Sequence, residues 1–457
     1  MGRLFGTDGV RGIVNQQLTP ELAMRLGMAV ATFFGEGSRI LVGRDARAGG
    51  DMIVHAVIAG LEAGGAKVYY AGYTPTPALQ YCVKNFGFDG GVMVTASHNP
   101  PQYNGIKVIG PLGIEISRED EKKVEEIFFE QKFRLASWSS LVHDAKPFPE
   151  ANEAYAKGVV EHVDRSLIAS KKFKVVVDCA NSVSCLTTPL ILRMLGVKVV
   201  TVNGHIDPTF PGREPEPTPE TLEETRRIVV AVNADLGVGH DGDGDRALLI
   251  DEKGVVWWGD RSGTLLSAYI VEADKSRKPR RVFTAVSSST LVEEYLKPLG
   301  VEVEWTPVGS VNISYRLLEK GGIAGFEENS GFIYAEHVLV RDGGMKLALW
   351  LEMMAREGKR ASELFNRLPK YYPIKTKIPM PREKALKVVE AVKEAYKGYR
   401  QVTIDGVKVF GDDWWVLVRP SGTEPVLRIM LEAKTPEKAK KVLDEVKSIV
   451  EKAAKGV

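Results

Sequence analysis

Asp241-Gly242-Asp243-Gly244-Asp245-Arg246 places three carboxylates on alternate residues with glycines between them. Like charges in one tight turn repel, and such a turn is tolerated mainly when a cation sits among the oxygens; an all-oxygen set suits Mg²⁺ or Ca²⁺. A solvated acidic turn is the plain alternative. The segment fails as an EF-hand, because Arg246 stands where that loop needs glycine and Ala247–Ile250 reads as strand, although Glu252 falls at the final ligand position. It also contains Gly237-Val238-Gly239-His240-Asp241-Gly242, which fits G-x-G-x-x-G. A dinucleotide site needs a helix after those glycines to receive the pyrophosphate, and here a strand follows.

Three other segments carry chemistry. Thr95-Ala96-Ser97-His98-Asn99-Pro100 follows an apolar strand. Alone, Ser97 reads as a turn former. With a metal near its oxygen it reads as the carrier of a transferred phosphoryl group. Arg419-Pro420-Ser421-Gly422-Thr423-Glu424-Pro425 joins an arginine fork, hydroxyls and glycine-exposed amides into an anion cradle, or into an ordinary hydroxyl-capped turn. Arg428, on the next strand, is placed with it. Glu327-Glu328-Asn329-Ser330-Gly331 offers acceptors suited to sugar hydroxyls, or forms an exposed acidic turn. Arg11 and Lys107 count as phosphate contacts only alongside the others, since lone basic residues are usually solubilising. His55, His143 and His162 have no metal-ligand spacing linking them.

The elements that position these loops repeat along the chain. Runs beginning at Arg39, Lys172 and Arg281 each show a β-branched segment, a polar loop, a helix, a glycine stop and a second apolar segment. These are signals of a strand–helix–strand unit with parallel strands and a right-handed crossover. Downstream of each, at Asp89, Asp235 and Gly321, an apolar strand runs into a polar loop from which a further strand leaves. The loops at Ser97, Asp241 and Glu328 therefore occupy equivalent places in three α/β domains. Ligand-binding loops of open α/β sheets lie beyond the carboxyl ends of strands. A composite cleft is the expectation.

After Pro369 the pattern changes to a helix (382–396), a hairpin around Asp405-Gly406, two strands and a charged helix from Pro436, an α+β unit. Expected domains are 1–150, 151–252, 253–369 and 370–457. The proline-rich stretch 208–219 reads as a rigid surface loop.

Length and composition agree with this division. The 457 residues are 44% hydrophobic and 26% charged, enough for several cores. Sixty-one basic against fifty-nine acidic side chains leave +2, which argues against a nucleic-acid binder. Three cysteines without a C-x-x-C pair exclude a disulfide framework and fit a reducing cytosol. No apolar run is long enough for a signal peptide or a membrane span, so a cytoplasmic protein is expected.

TASHNP, DGDGDR, E-x-S-G and RPSGTEP, in this order and with the opening FGTDGVRG, resemble the α-D-phosphohexomutase superfamily over essentially the whole chain. That resemblance implies three tandem α/β domains with mixed sheets, and a C-terminal α+β domain like the TATA-binding-protein fold, around a central cleft. It implies Ser97 as the phosphorylated serine and Mg²⁺ held by Asp241, Asp243, Asp245 and Ser97. It also implies phosphoryl exchange between a hexose 1- or 6-phosphate and the enzyme through a hexose 1,6-bisphosphate, which serves as activator. Lys107 or His98 would assist proton transfer, and Arg11 would contact phosphate. Arg419, Ser421, Gly422, Thr423 and Arg428 would hold the non-reacting phosphate; Arg246, Gly309, Glu328 and Ser330 would bind the substrate. The partner implied is a small phosphosugar. Two departures matter: Glu327 competes with Glu328 for the sugar role after a one-residue shift, and Phe332 stands where histidine is common. A phosphatase using the same serine and a non-catalytic sugar-phosphate sensor are the alternatives.

Overall fold

The computed structural model describes residues 4–6, 8–141, 144–421 and 425–455. Its sheets follow from the repeat. The first holds β1 (Val10–Ile13), β2 (Arg39–Arg44), β3 (Lys67–Tyr73), β4 (Gly90–Val94), β5 (Tyr103–Ile109) and β6 (Lys146–Pro147), in the order β1-β5-β4-β2-β3-β6. The second holds β7 (Lys174–Asp178), β8 (Lys198–Val202), β9 (Leu236–His240), β10 (Ala247–Asp251) and β11 (Val256–Trp257), ordered β11-β10-β9-β7-β8. The third holds β12 (Arg281–Ala285), β13 (Glu302–Thr306), β14 (Ala324–Phe326) and β15 (Phe332–Tyr334), ordered β13-β12-β14-β15.

One four-strand pattern runs through all three. The first strand (β2, β7, β12) lies parallel to the second (β3, β8, β13) on one side and to the third (β4, β9, β14) on the other. The third then turns back antiparallel into the fourth (β5, β10, β15). The crossover helices that this demands are present: Gly50–Ala63 between β2 and β3, Ser184–Met194 between β7 and β8, and Leu291–Leu296 between β12 and β13. The turns between third and fourth strands carry Ser97, Asp241 to Arg246 and Glu327 to Gly331, the three loops that the repeat makes equivalent.

Strands covered on both faces read as continuous apolar runs rather than alternating ones. β4, β9 and β10 are buried at every residue. Close approach also fixes their glycines: a Cβ at Gly91 would lie 2.8 Å from Val83 Cγ2, and one at Gly237 2.4 Å from Val229 Cγ2.

The last sheet is wholly antiparallel: β16 (Tyr372–Pro379), β17 (Arg400–Val402), β18 (Val407–Phe410), β19 (Trp414–Pro420) and β20 (Val426–Ala433), ordered β16-β20-β19-β18-β17. Helices Arg382–Ala395 and Pro436–Lys455 cover one face, packing Val388, Val392, Val442 and Val446 against Val416, Val418 and Ile429. The other face, with Trp415, Leu417 and Met430, meets Val286 and Trp305 of the third domain. Among the described residues no helix is long and apolar enough to cross a membrane.

One expectation changes. The 208–219 stretch is not merely a surface loop. Phe210 is buried with its ring 5.2 Å from the Arg47 guanidinium, Arg213 binds Asp178 at 2.9 Å, and Glu216 reaches Arg246 at 3.2 Å. Proline-rich backbone, unable to pair as a strand, here serves as a side wall.

Candidate active site

Ser97 sits at the tip of the β4–β5 turn with φ of +51°, a left-handed conformation that a non-glycine residue adopts only where its surroundings impose it. The Ser97 amide donates to Thr95 Oγ1 at 2.8 Å. Its carbonyl accepts from Arg47 Nη2 at 2.6 Å, and Oγ donates to Asp241 Oδ2 at 2.7 Å. Arg47 also donates to the carbonyls of Asn99 (2.6 Å), Pro100 (2.9 Å) and Tyr103 (3.0 Å), and its Nε meets Asp45 Oδ2 at 3.2 Å. Asp45 in turn accepts from Thr95 Oγ1 at 2.5 Å; burial pushes its carboxyl up to about 6 against the pull of Arg47. One buried guanidinium thus gathers the whole serine turn.

The β9–β10 turn packs directly on this. A Cβ at Gly242 would meet the Ser97 carbonyl at 2.5 Å, so the alternating glycines let the two turns touch. The carboxylates of Asp241, Asp243 and Asp245 are buried, with one oxygen of each lying within 4.8 Å of the others. Their remaining bonds are one-sided. Asp243 Oδ2 takes Thr76 Oγ1 (2.6 Å) and Lys107 Nζ (3.2 Å); Asp245 Oδ2 takes Arg341 Nη2 (2.6 Å) and Lys107 Nζ (3.6 Å). Asp243 Oδ1 and Asp245 Oδ1 are buried with no hydrogen-bond partner. Converging, unsatisfied carboxylate oxygens are costly to bury, and they are the donor set a hard divalent cation requires. The residues fit such an ion.

Electrostatics separate the groups. Burial is the largest influence on Asp241 and raises its carboxyl well above the usual range, helped by Asp245 and Asp243; Asp245 is raised too, chiefly by burial. Burial pushes Asp243 the same way, but Lys107, the Thr76 hydroxyl and Arg341 outweigh it and hold this carboxyl low. Lys107 is fully buried among Asp243, Asp8 (3.5 Å), Asp245 and Glu115 (3.9 Å). Burial alone would lower its ammonium, yet these carboxylates raise it, so it is held firmly protonated. His98 is the opposite case. Burial and the cations Arg246, Arg11 and Arg341 keep its imidazole well below its ordinary value, and Nδ1 lies 3.3 Å from Ser97 Oγ and 2.9 Å from Arg246 Nη2.

Other residues singled out from the sequence divide into two groups. Arg11 reaches the serine turn through Asn99 Oδ1 (2.5 Å) and the Ala96 carbonyl (3.2 Å), with Asp8 at 2.9 Å; Arg246 lines the same wall. Gly309 begins the helix Ser310–Lys320 with φ of +120°, and its amide donates to Glu327 Oε1 at 3.0 Å. Glu327 is buried and faces Arg341 at 3.4 Å, whereas Glu328 is half-buried and pairs with Lys375 of the last domain. The Lys375 ammonium also lies 3.8 Å over the Trp258 ring. The Ser330 hydroxyl turns inward, donating to the Ala247 carbonyl and accepting from the buried Lys346 ammonium at 2.6 Å. Phe332 is core, in register with Phe326.

In the last domain Arg419 and Arg428 are direct cross-strand partners and so share a face. Arg419 binds Asp405 at 2.9 Å, and Asp405 accepts the Val308 amide at 3.1 Å, which brings the anion-cradle strand against the Gly309 turn. Ser421 is buried, its amide bonded to the Val426 carbonyl at 2.8 Å. Gly422 and Thr423 lie outside the described residues.

The sequence reading missed Asp45, Arg47, Thr76, Lys375 and Arg341. A signal existed for the first two, since Arg44-Asp45-Ala46-Arg47 follows a parallel strand, where site loops belong. Nothing local marked Arg341, whose partners lie far away in the chain.

Profiles of the phosphoglucomutase/phosphomannomutase family match in order: α/β/α domain I over residues 2–135, domain II over 153–254, domain III over 258–372 and the C-terminal domain over 376–449. The chain is 52% identical to a phosphoglucosamine/phosphogalactosamine mutase of Sulfurisphaera tokodaii, across 99% of this chain and 100% of the relative. It is 42% identical to a phosphoglucomutase/phosphomannomutase of Thermococcus kodakarensis, across 100% of both. The crystal structure of a phosphoglucomutase/phosphomannomutase family protein from Burkholderia thailandensis, 24% identical, superposes with a TM-score of 0.87 over 98% of this chain and 97% of that one. Four matched domains, full-length relatives and a shared fold agree with the three equivalent turns: the chain belongs to the α-D-phosphohexomutase superfamily.

Proposed function

We propose that this phosphohexomutase interconverts hexose 1-phosphates and hexose 6-phosphates through a phosphorylated Ser97 and a 1,6-bisphosphate, with Mg²⁺ as its metal. The observation that carries the reading is the Ser97 Oγ–Asp241 contact at 2.7 Å beside the partnerless buried oxygens of Asp243 and Asp245. Asp241, Asp243, Asp245 and phosphorylated Ser97 would hold the ion, which when bound supplies positive charge to the transferring phosphoryl group.

The rest falls to the chain's own residues. Arg47 and Thr95 fix the serine turn so that Oγ faces the acidic loop. A substrate hydroxyl attacks the phosphorus, the bond to Ser97 Oγ breaks, and the hydroxyl proton passes to a nearby base. His98 is assigned that acceptor role on its position alone, with Nδ1 3.3 Å from Oγ, since burial and Arg246, Arg11 and Arg341 disfavour its protonated form. Lys107, implied by resemblance as an alternative proton carrier, is instead suited to a fixed positive charge. After the bisphosphate turns end for end, its other phosphate returns to Ser97. Arg419, Ser421 and Arg428, with Gly422 and Thr423, would anchor the phosphate that is not reacting. Glu328 and the Gly309 turn would meet the sugar, with Arg246 and Arg11 beside the reacting phosphate. The inward Ser330 hydroxyl supports holding the sugar loop rather than touching substrate.

An amino-sugar phosphate is the favoured substrate, on the likeness to the Sulfurisphaera enzyme. A cytoplasmic setting goes with the three free cysteines.

The test is ³¹P NMR of glucosamine, galactosamine, glucose and mannose 1-phosphates, each with Mg²⁺ and a trace of glucose 1,6-bisphosphate. Appearance of the 6-phosphate without free phosphate is expected, fastest for an amino sugar. Free phosphate as main product would make the protein a phosphatase, and binding without turnover a sensor.

A further inference from the structure

Arg341 lies between the end of β15 and the helix Gly343–Glu357, beside the Asp342 side chain that caps that helix by accepting the Met345 amide at 2.8 Å. A residue tethered at a helix start has little freedom, and Arg341 is 6% exposed. Its guanidinium touches one carboxylate from each of three domains: Asp245 Oδ2 of the β9–β10 turn at 2.6 Å, Asp8 Oδ2 of the segment before β1 at 3.1 Å, and Glu327 Oε2 of the β14–β15 turn at 3.4 Å. The sugar turn is shaped to admit it. A Cβ at Gly331 would lie 2.2 Å from Arg341 Cδ, so only glycine there lets the side chain pass across the turn toward Asp245.

Each contact has a consequence at one remove. By taking Oδ2 of Asp245, Arg341 fixes which oxygen of that carboxylate is left partnerless: Oδ1, the atom available to a cation. By facing Glu327 it fixes the carboxylate whose other oxygen receives the Gly309 amide at 3.0 Å. A planar fork can hold two carboxylates in set directions, which a lysine ammonium cannot.

We propose that Arg341 is a positioning residue that sets the metal turn and the sugar turn with one side chain. The proposal rests on the functional reading above for the identity of the two ligands. Outer-sphere partners that orient metal-binding carboxylates typically contribute about 10- to 100-fold in metal affinity.

The experiment measures binding, not turnover. Mn²⁺ affinity is read by EPR titration and glucose 1,6-bisphosphate affinity by calorimetry on full-length wild type, Arg341→Lys, Arg341→Gln and Glu327→Gln, with unfolding temperatures recorded alongside. Arg341→Lys, which keeps the charge and loses the fork, is expected to weaken Mn²⁺ about tenfold and the bisphosphate by a similar factor. Glu327→Gln cuts only the arm to the sugar turn, so it should weaken the bisphosphate while moving Mn²⁺ less than about twofold. A purely structural arginine would lower the unfolding temperature and leave both constants of the folded protein unchanged; that result overturns the proposal. If neither Arg341 variant folds, Glu327→Gln decides, and an unchanged bisphosphate affinity overturns it. Wild-type protein that binds neither probe overturns the functional reading itself.

Discussion

The site has two halves built on different electrostatic principles. Around Ser97 the charges are buried and closely paired: the side chains of Lys107 and Asp243 are 1% and 0% exposed at 3.2 Å, and those of Arg341 and Asp245 are 7% and 2% exposed. Around Glu328 and Arg419 they are partly open: the Lys375 and Glu328 side chains are 38% and 19% exposed, those of Arg419 and Asp405 12% and 19%. A buried pair cannot lose one partner without stranding the other, which costs several kcal/mol. A pair at the surface is screened and worth about 1 kcal/mol or less. The reacting centre is therefore preorganised. On the proposed function, the more open side is the one that can exchange its ion pairs for a substrate presenting either end.

The most severe way to break the first half is Ser97→Ala. Turnover should fall at least about a thousandfold even with glucose 1,6-bisphosphate supplied, since the proposed phosphoryl carrier itself is removed. Full activity in ³¹P NMR would remove Ser97 from the chemistry. Asp243→Asn should follow, lowering kcat about a hundredfold while the dissociation constant for phosphosugar moves less than about threefold. Chelation with EDTA should reproduce it, and equal loss of binding and rate would make the turn structural.

The second half should answer in binding. Arg419→Ala removes a charge-assisted fork and should raise KM about 10- to 100-fold with kcat little changed. An unchanged KM would take Arg419 out of the site.

Two of the buried lysines sharpen the contrast. Lys107, among carboxylates, is raised; Lys408 lies between the third and fourth domains with its ammonium 3.7 Å over Trp305 and 4.2 Å over Trp415, and burial pushes it down to about 7. In the unfolded chain Lys408 keeps a value near 10.5, so between about pH 7 and 10.5 the unfolded state binds more protons and stability rises with pH. Lys408→Met should flatten that rise by about 1–2 kcal/mol in denaturant titrations at pH 7 and pH 10, the aromatic faces offsetting part of the burial. Identical slopes in both proteins would place Lys408 outside the effect. The smallest change is expected for Lys375→Met, which removes a half-open pair. Its unfolding free energy should change by less than about 1 kcal/mol and KM for hexose phosphates by less than about fivefold. A larger loss in KM would make Lys375 a substrate contact.

The sequence made the architecture legible because it repeats. An apolar third strand ending in a polar turn recurs at Ser97, Asp241 and Glu328, and strand order then brings those turns to corresponding edges of three sheets. The acidic turn was readable because alternation of Asp and Gly has few uses other than holding a cation. Glu327 and Glu328 were not separable, since adjacent residues of one type differ only in what each meets: Gly309 and Arg341 for one, Lys375 for the other. The side-wall contacts of the proline-rich stretch were not legible because they are made to Arg47, Asp178 and Arg246, none of them adjacent to it.

Residue types and spacing by themselves pointed to four units, to the turns proposed to bear the chemistry and to the kind of chemistry proposed for them. Tertiary structure decided the supporting charges. Arg47 gathers a turn about fifty residues away, and Arg341 joins Asp8 across 333 positions of chain. Such contacts leave no periodicity or composition behind, because a buried guanidinium needs only that carboxylates or carbonyls arrive around it, from wherever in the chain the fold delivers them.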